Sequence, residues 1–308
     1  MKSEIFLTSA AILISIIFFS CGNNQKPAGT KTIGVSLLTR GHIFYRDLEE
    51  GLRTQAKKDG YQLIVTSADF DLGKQISQVE DFISRKVDAI VVCPVDSKGV
   101  GSAIEEANNA SIPVFTADIA AEQGKVISHI ASDNIAGGRL AGEYLAKVLN
   151  GKGNVAIINQ PAITSVLDRV KGFKEAISKY PEIKIVADVN GYGVRDRSLQ
   201  AAADVLQSHP GLNGIFGIND DSALGALDAV KQFNKKGISI IGYDATDPAR
   251  KEILDGSSLK ADVIQNPKLI GSTTISEIKN YLEGKVVPKI VPVDVGIVDK
   301  AVLEQENK

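Results

Sequence analysis

Ile33-Gly34-Val35-Ser36-Leu37-Leu38, then Asp47-Leu48-x-x-Gly51-Leu52-x-x-Gln55-Ala56, then Leu63-Ile64-Val65-Thr66 is the stretch that decides the fold. A short β-rich run is followed by a segment with helical period and then by a second β-rich run. The rhythm continues, with β-rich runs at residues 89–92, 114–116, 155–158, 185–189, 214–217 and 238–241. Such alternation predicts parallel sheets covered by helices. Between the runs, Ile135-x-x-Gly138-x-Leu140-Ala141-x-x-Tyr144-Leu145 keeps apolar and small residues on one helical face. Asp133 and Asn134 stand where its N-cap falls, and Asp220 with Asp221 stands likewise before a helix over 222–233.

Upstream, Lys2 precedes an apolar run over residues 5–19 and then Ser20-Cys21. The run is short for a membrane span and reads as an export signal ending in a lipobox-like cysteine, although Phe18 replaces the usual aliphatic residue. Cys21 is thus expected to carry a lipid, leaving residues 1–20 as signal peptide and 21–31 as a polar tether. Removing 20 residues from 308 leaves 288, enough for two lobes of ordinary size. One doubly wound domain of that length would need an unusually wide sheet, so the chain is expected to change lobes near Ser132. Of the 2 cysteines, Cys93 would have no disulfide partner once Cys21 is acylated. A net charge of −2 with interspersed signs offers no basic field for nucleic acid.

In open parallel sheets, ligands bind beyond the carboxyl ends of the strands. Those ends are polar here: Asp118 follows residues 114–117, Asn219 follows 214–218, Asp244 ends the run from 238, and Gln265-Asn266-Pro267 follows 259–264. Carboxylates accept two hydroxyl hydrogen bonds and amides both donate and accept, which suits a polyhydroxylated neutral ligand. Each residue could equally cap the next helix, but four polar strand ends favour a pocket. Phe44-Tyr45, beyond the first strand, supplies ring faces for sugar C–H groups or core packing for the helix. No G-x-S-x-G, P-loop or G-x-G-x-x-G follows a strand, and the 3 histidines lack metal-ligand spacing. A hydrolase using Asp118 and Asp244 as paired carboxylates is the distant enzymatic alternative.

Three stretches resemble a known family: Ser128-His129-Ile130-Ala131-Ser132-Asp133-Asn134 with Gly137-Gly138, then Arg169-Val170-Lys171-Gly172-Phe173, and Asn219-Asp220-x-x-Ala223-Leu224-Gly225-Ala226. They are similar to the ribose-binding branch of pentose- and hexose-binding proteins, related in fold to lactose-repressor effector domains, across nearly all of residues 33–298. The resemblance implies two Rossmann-like lobes joined by three crossing strands. Lobe one would take 32–132 and 266–294, and lobe two 133–265 and 295–308. Closure over a monosaccharide or related polyol would present the protein, as a monomer without cofactor, to an ABC permease.

The implied ligand contacts are His42, Phe44, Tyr45, Asp118, Arg169, Asn219, Asp244 and Gln265. Tyr192 would stack from lobe two, with a one-residue shift in its spacing to Leu199. His42 stands where the ribose pattern has Asn, and Ile119 where it has Arg. Chemosensing by the same closed form is the alternative to import. The absent helix-turn-helix and the leader exclude a repressor.

Overall fold

The computed structural model describes residues 29–306; the leader and Cys21 lie outside them. The first sheet is built from β1 (Thr32–Leu37), β2 (Gln62–Ser67), β3 (Ala89–Val92), β4 (Val114–Ala117) and β5 (Val126–Ser132). Helices α1 (Ile43–Asp59), α2 (Leu72–Ser84) and α3 (Gly101–Asn109) connect the first four strands. The chain then enters α4 (Asn134–Val148) and a second sheet of β6 (Lys152–Asn159), β7 (Glu182–Asn190), β8 (Leu212–Gly217), β9 (Ser239–Asp244) and β10 (Leu259–Ile264). Helices α5 (Thr164–Ile177), α6 (Arg195–Ser208), α7 (Asp220–Gln232) and α8 (Asp247–Leu254) join those strands. Next, α9 (Pro267–Leu282) returns to the first lobe, where β11 (Ile290–Val293) pairs with β5. Finally β12 (Gly296–Asp299) and α10 (Lys300–Glu306) close the second lobe.

Among the described residues there are two six-stranded sheets, ordered β11-β5-β4-β3-β1-β2 and β12-β10-β9-β8-β6-β7. The chain passes between them after Ser132, after Ile264 and between Val293 and Gly296. Pairing is parallel except where β12 runs antiparallel to β10. The β-rich runs of the sequence missed β5, β11 and β12. In β5, Ser128, His129 and Ser132 interrupt the apolar run, and β11 contains Pro292. A proline is tolerable there because β11 is an edge strand.

The strand interiors explain the layers. Ile33, Val35, Leu37, Val91 and Phe115 are fully buried in lobe one, with Leu48, Leu52, Ile270 and Ile275 of α1 and α9 packed over them. Each such side chain contributes about 1.5–3 kcal/mol of burial. In lobe two, Phe173 and Phe216 stack with ring centroids 4.6 Å apart, pinning α5 to β8. Helices α4 and α5 touch backbone to backbone. A Cβ on Gly138 would lie 2.0 Å from the Arg169 carbonyl oxygen, and one on Gly172 2.1 Å from that of Ile135. This crossing brings Arg169 beside Asn134, at the start of α4.

Candidate ligand-binding cleft

The carboxyl ends of the two sheets face one another across a cleft lined by side chains of both lobes. Lobe one contributes His42, Phe44 and Tyr45 from the start of α1, with Asp118 and Ile119 after β4. Lobe two contributes Arg169 of α5, Asn219 after β8 and Asp244 at the end of β9, and Gln265 follows β10. Asp118 and Asp244 both have positive φ, 67° and 114°, values that side chains other than glycine adopt at a cost. Both carboxylates therefore sit on backbone held by its surroundings.

Arg169 organises lobe two's wall. It is 5% exposed; its Nε donates to Asn134 Oδ1 at 2.8 Å and its Nη1 to the Ile218 carbonyl at 2.8 Å. Its guanidinium carbon stands 3.9 Å from the centroid of the Tyr243 ring. Nη1 is also 4.0 Å from Asp244 Oδ1. Burial opposes its charge, but the surrounding Tyr243, Asp244 and Asp118 hold the guanidinium protonated. One buried cation thus faces two carboxyl groups.

Those carboxyls are also partly committed. The Tyr45 hydroxyl donates to Asp118 Oδ2 at 2.6 Å, and Gln265 Nε2 donates to Asp244 Oδ1 at 2.6 Å. Asp118 Oδ1 and Gln265 Oε1 are buried acceptors with no hydrogen-bond partner among the described residues. Burial raises the Asp118 pKa, against the pull of Arg169 and the Tyr45 bond. Burial likewise pushes Asp244 up to about 7, with Arg169 opposing and Asp220 adding to the shift. Asp118 therefore keeps one buried oxygen open on the cleft side of its Tyr45 bond.

Eight of the nine side chains selected as ligand contacts meet at this cleft, at differing depths. His42 sits at its rim, with Nε2 2.9 Å from Asp221 Oδ2 of the opposite lobe. Asn219, rather than Asp220 or Asp221, is the N-cap of α7: its Oδ1 accepts from the Ser222 N–H at 2.9 Å, while Nδ2 donates to the Gly193 carbonyl at 3.0 Å. Capping and facing the pocket are compatible, because the amide keeps one hydrogen and one lone pair free. Asn266, not Gln265, caps α9.

Tyr192 is the exception. With φ at 58° it is 49% exposed and lies outside the pocket, its ring 4.5 Å from the Arg197 guanidinium carbon in a neighbouring groove. Ile119 lines the pocket and is 2% exposed. Arg40 supplies no substitute donor, since it is forked onto Glu49 at 2.7 and 2.9 Å.

Sequence reading overlooked Phe70, Gln160 and Ser165, all of which line the cleft. Gln160 was accessible to the strand-end rule, because it follows β6 directly. Phe70 lies in a turn where it and Asp69 both have positive φ, and Ser165 sits in the first turn of α5, positions that periodicity does not mark.

Two α/β lobes with a polar cleft between facing strand ends and three chain crossings define a bilobal solute-binding protein. The chain belongs to the family described as "Periplasmic binding protein domain", which matches residues 33–286. It is similar to the ribose import binding protein RbsB of Haemophilus influenzae, at 35% identity over 97% of this chain and 100% of that protein. The Bacillus subtilis ribose import binding protein RbsB is 36% identical over 94% of this chain and 95% of its own length. Among solved structures, an ABC transporter periplasmic solute binding protein from Actinobacillus succinogenes with bound D-allose superposes with a TM-score of 0.83. It shares 28% identity and covers 90% of this chain and 100% of its own.

Proposed function

We propose that this chain captures one small sugar or polyol between its lobes and delivers it to an ABC permease. The observation that carries this reading is the convergence of buried, unpartnered acceptors, Asp118 Oδ1 and Gln265 Oε1, on a pocket that also holds Asp244 and Arg169. A polyol supplies the missing hydroxyl donors, and the ring faces of Phe44 and Tyr45 pack its C–H surface. The moving bodies are residues 32–132 with 266–294 and residues 133–265 with 295–308. Ligand favours closure because only the closed form makes contacts from both.

Asp118, Arg169, Asn219, Asp244 and Gln265 carry the polar recognition, with His42 at the rim; Tyr192 joins only if its ring leaves Arg197. The carboxyls bind rather than react, as each is already tied to a protein donor. A thermal-shift screen of residues 22–308 against pentoses, hexoses, polyols and nucleosides tests the reading. A true ligand raises the melting temperature, and a flat response to every class would refute it.

The same reading makes the protein exported and lipid-anchored through Cys21. Acyl chains contribute about 0.8 kcal/mol per buried methylene, so a multiply acylated cysteine holds firmly to a bilayer. Cys21→Ser should be released or left unprocessed. A Cys21→Ser protein that stayed membrane-bound with its leader removed would show another anchor.

A further inference from the structure

Behind the cleft, Asp220 of α7 and Asp262 of β10 bind the backbone N–H groups of two consecutive residues, Thr246 and Ala245, and both acids are buried, Asp262 completely. Asp220 Oδ2 accepts from the Thr246 N–H at 2.7 Å and also from the Thr246 hydroxyl. Asp262 Oδ1 accepts from the Ala245 N–H at 3.0 Å. This leaves Asp220 Oδ1 and Asp262 Oδ2, neither of which finds a donor among the described residues. The sequence makes room for the second acid: a Cβ on Gly242 of β9 would fall 2.3 Å from Asp262 Oδ2.

The amides that the pair holds belong to an unusual turn. Asp244 and Ala245 have consecutive positive φ values, 114° and 52°, and neither is glycine. From the other side, Arg250 Nε donates to the Ala245 carbonyl at 2.7 Å. The turn that aims Asp244 into the cleft is therefore gripped by two acids and one base, none of which lines the central pocket.

Two buried carboxyls that hold consecutive amides and each keep an unpartnered oxygen are costly to ionise together, and one proton shared between them would satisfy both oxygens. We propose that Asp262 is a proton-carrying positioning residue, whose protonated carboxyl donates to Asp220 so that the pair together fixes the Ala245–Thr246 turn beneath Asp244. The charged groups around the pair are Asp221 of α7 and Asp244 of β9, with Arg169 of α5 beyond Asp244 and Arg250 of α8 on the turn. Burial and the neighbouring Asp220 charge raise the Asp262 pKa well above the ordinary carboxylate value.

The sign follows from linkage. The native state keeps a proton that the unfolded chain releases near pH 4, so stability is greatest below that pH and falls as pH rises toward the raised native pKa. Asp262→Asn donates to Asp220 without needing a proton. Urea unfolding of the ligand-free protein tests this between about pH 5 and about pH 9, with one proton changing the folding constant by up to tenfold per pH unit. The expected result is that the folding constant of wild type falls relative to Asp262→Asn across the range, while Asp262→Ala, which leaves Asp220 and Ala245 without their partner, is weaker than Asp262→Asn throughout.

A wild-type to Asp262→Asn ratio that stays flat with pH, or an Asn variant no better than the Ala variant, overturns the proposal. Should Asp262→Asn fail to fold, carboxyl ¹³C titration of wild type decides. An Asp262 carboxyl that stays protonated well above the ordinary carboxylate range supports the shared proton; one that titrates within that range overturns it. Significance for recognition rests on the role of Asp244 in the cleft, but these measurements need no sugar and succeed or fail separately from it.

Discussion

The two walls of the cleft do different work. Lobe one presents the rings of Phe44 and Tyr45, the aliphatic Ile119 and one carboxyl, Asp118, already held by the Tyr45 hydroxyl. Lobe two presents a buried guanidinium, an amide and a carboxyl on a strained turn. Rings and aliphatic surface define shape and tolerate small displacements, whereas charged hydrogen bonds demand direction. On the proposed reading, lobe two is expected to set the ligand's orientation and lobe one to complete the fit on closing. Mutations on the lobe-two wall should cost more.

The sharpest way to break this asymmetry is Arg169→Ala. Its loss strands Asn134 Oδ1 and the Ile218 carbonyl and leaves Asp118 and Asp244 facing each other without a cation. Removing one member of a buried charged network costs about 3–5 kcal/mol of stability. Affinity should fall roughly a hundredfold or more, since a charged hydrogen bond is worth about 1.5–3 kcal/mol by itself. Denaturant titration and calorimetry should both register the change. Unchanged affinity would remove Arg169 from the site.

Asp244 sharpens the comparison through pH. Its pKa stands near 7 because of burial, so it gains a proton as pH falls through 7 and loses half its accepting capacity. Sugar affinity should weaken on the acid side by up to about tenfold per pH unit, the limit for one linked proton. Asp244→Asn should abolish that slope. On lobe one's side the expected effect is smaller. Tyr45→Phe removes only the donor to Asp118, a bond worth about 0.5–1.5 kcal/mol net, so calorimetry should show at most a roughly tenfold loss.

The architecture was legible in the sequence because alternating runs obey period rules that burial enforces; Ile33, Val35 and Leu37 all point into cores. The strand-end rule found Asp118, Asn219, Asp244 and Gln265, since parallel topology alone brings those ends together. It gave no access to orientation. Whether the Tyr192 ring faces sugar or Arg197 depends on a single positive φ and a cation–π contact, which residue spacing does not encode. The Asp220–Asp262 contact was equally hidden, being formed between residues 42 positions apart by a glycine-sized slot at Gly242. The β11 edge strand escaped because its proline reads locally as a breaker.

The last and smallest effect concerns which sugar the lobe-one wall accepts. In the ribose pattern that the chain resembles, an Arg follows the Asp and donates to sugar oxygens. Here Ile119 occupies that place, lines the pocket and makes no side-chain hydrogen bond, while the nearby Arg40 is tied to Glu49 outside the cleft. Leu38 of the same lobe, and Ile163 and Val166 from lobe two, add apolar lining to the cleft. A hydroxyl pressed against that lining loses its water without gaining a partner, whereas a methyl, methylene or deoxy carbon gains contact. A ligand with a deoxy or methyl edge should therefore bind about fivefold better than its hydroxylated counterpart, corresponding to about 1 kcal/mol for one unpaired oxygen. D-ribose, which has neither a methyl nor a deoxy carbon, should bind weakly. Calorimetric titration with D-ribose and matched deoxy sugars measures both, and a D-ribose dissociation constant below about 1 μM would overturn the assignment, since that affinity requires a fully satisfied site.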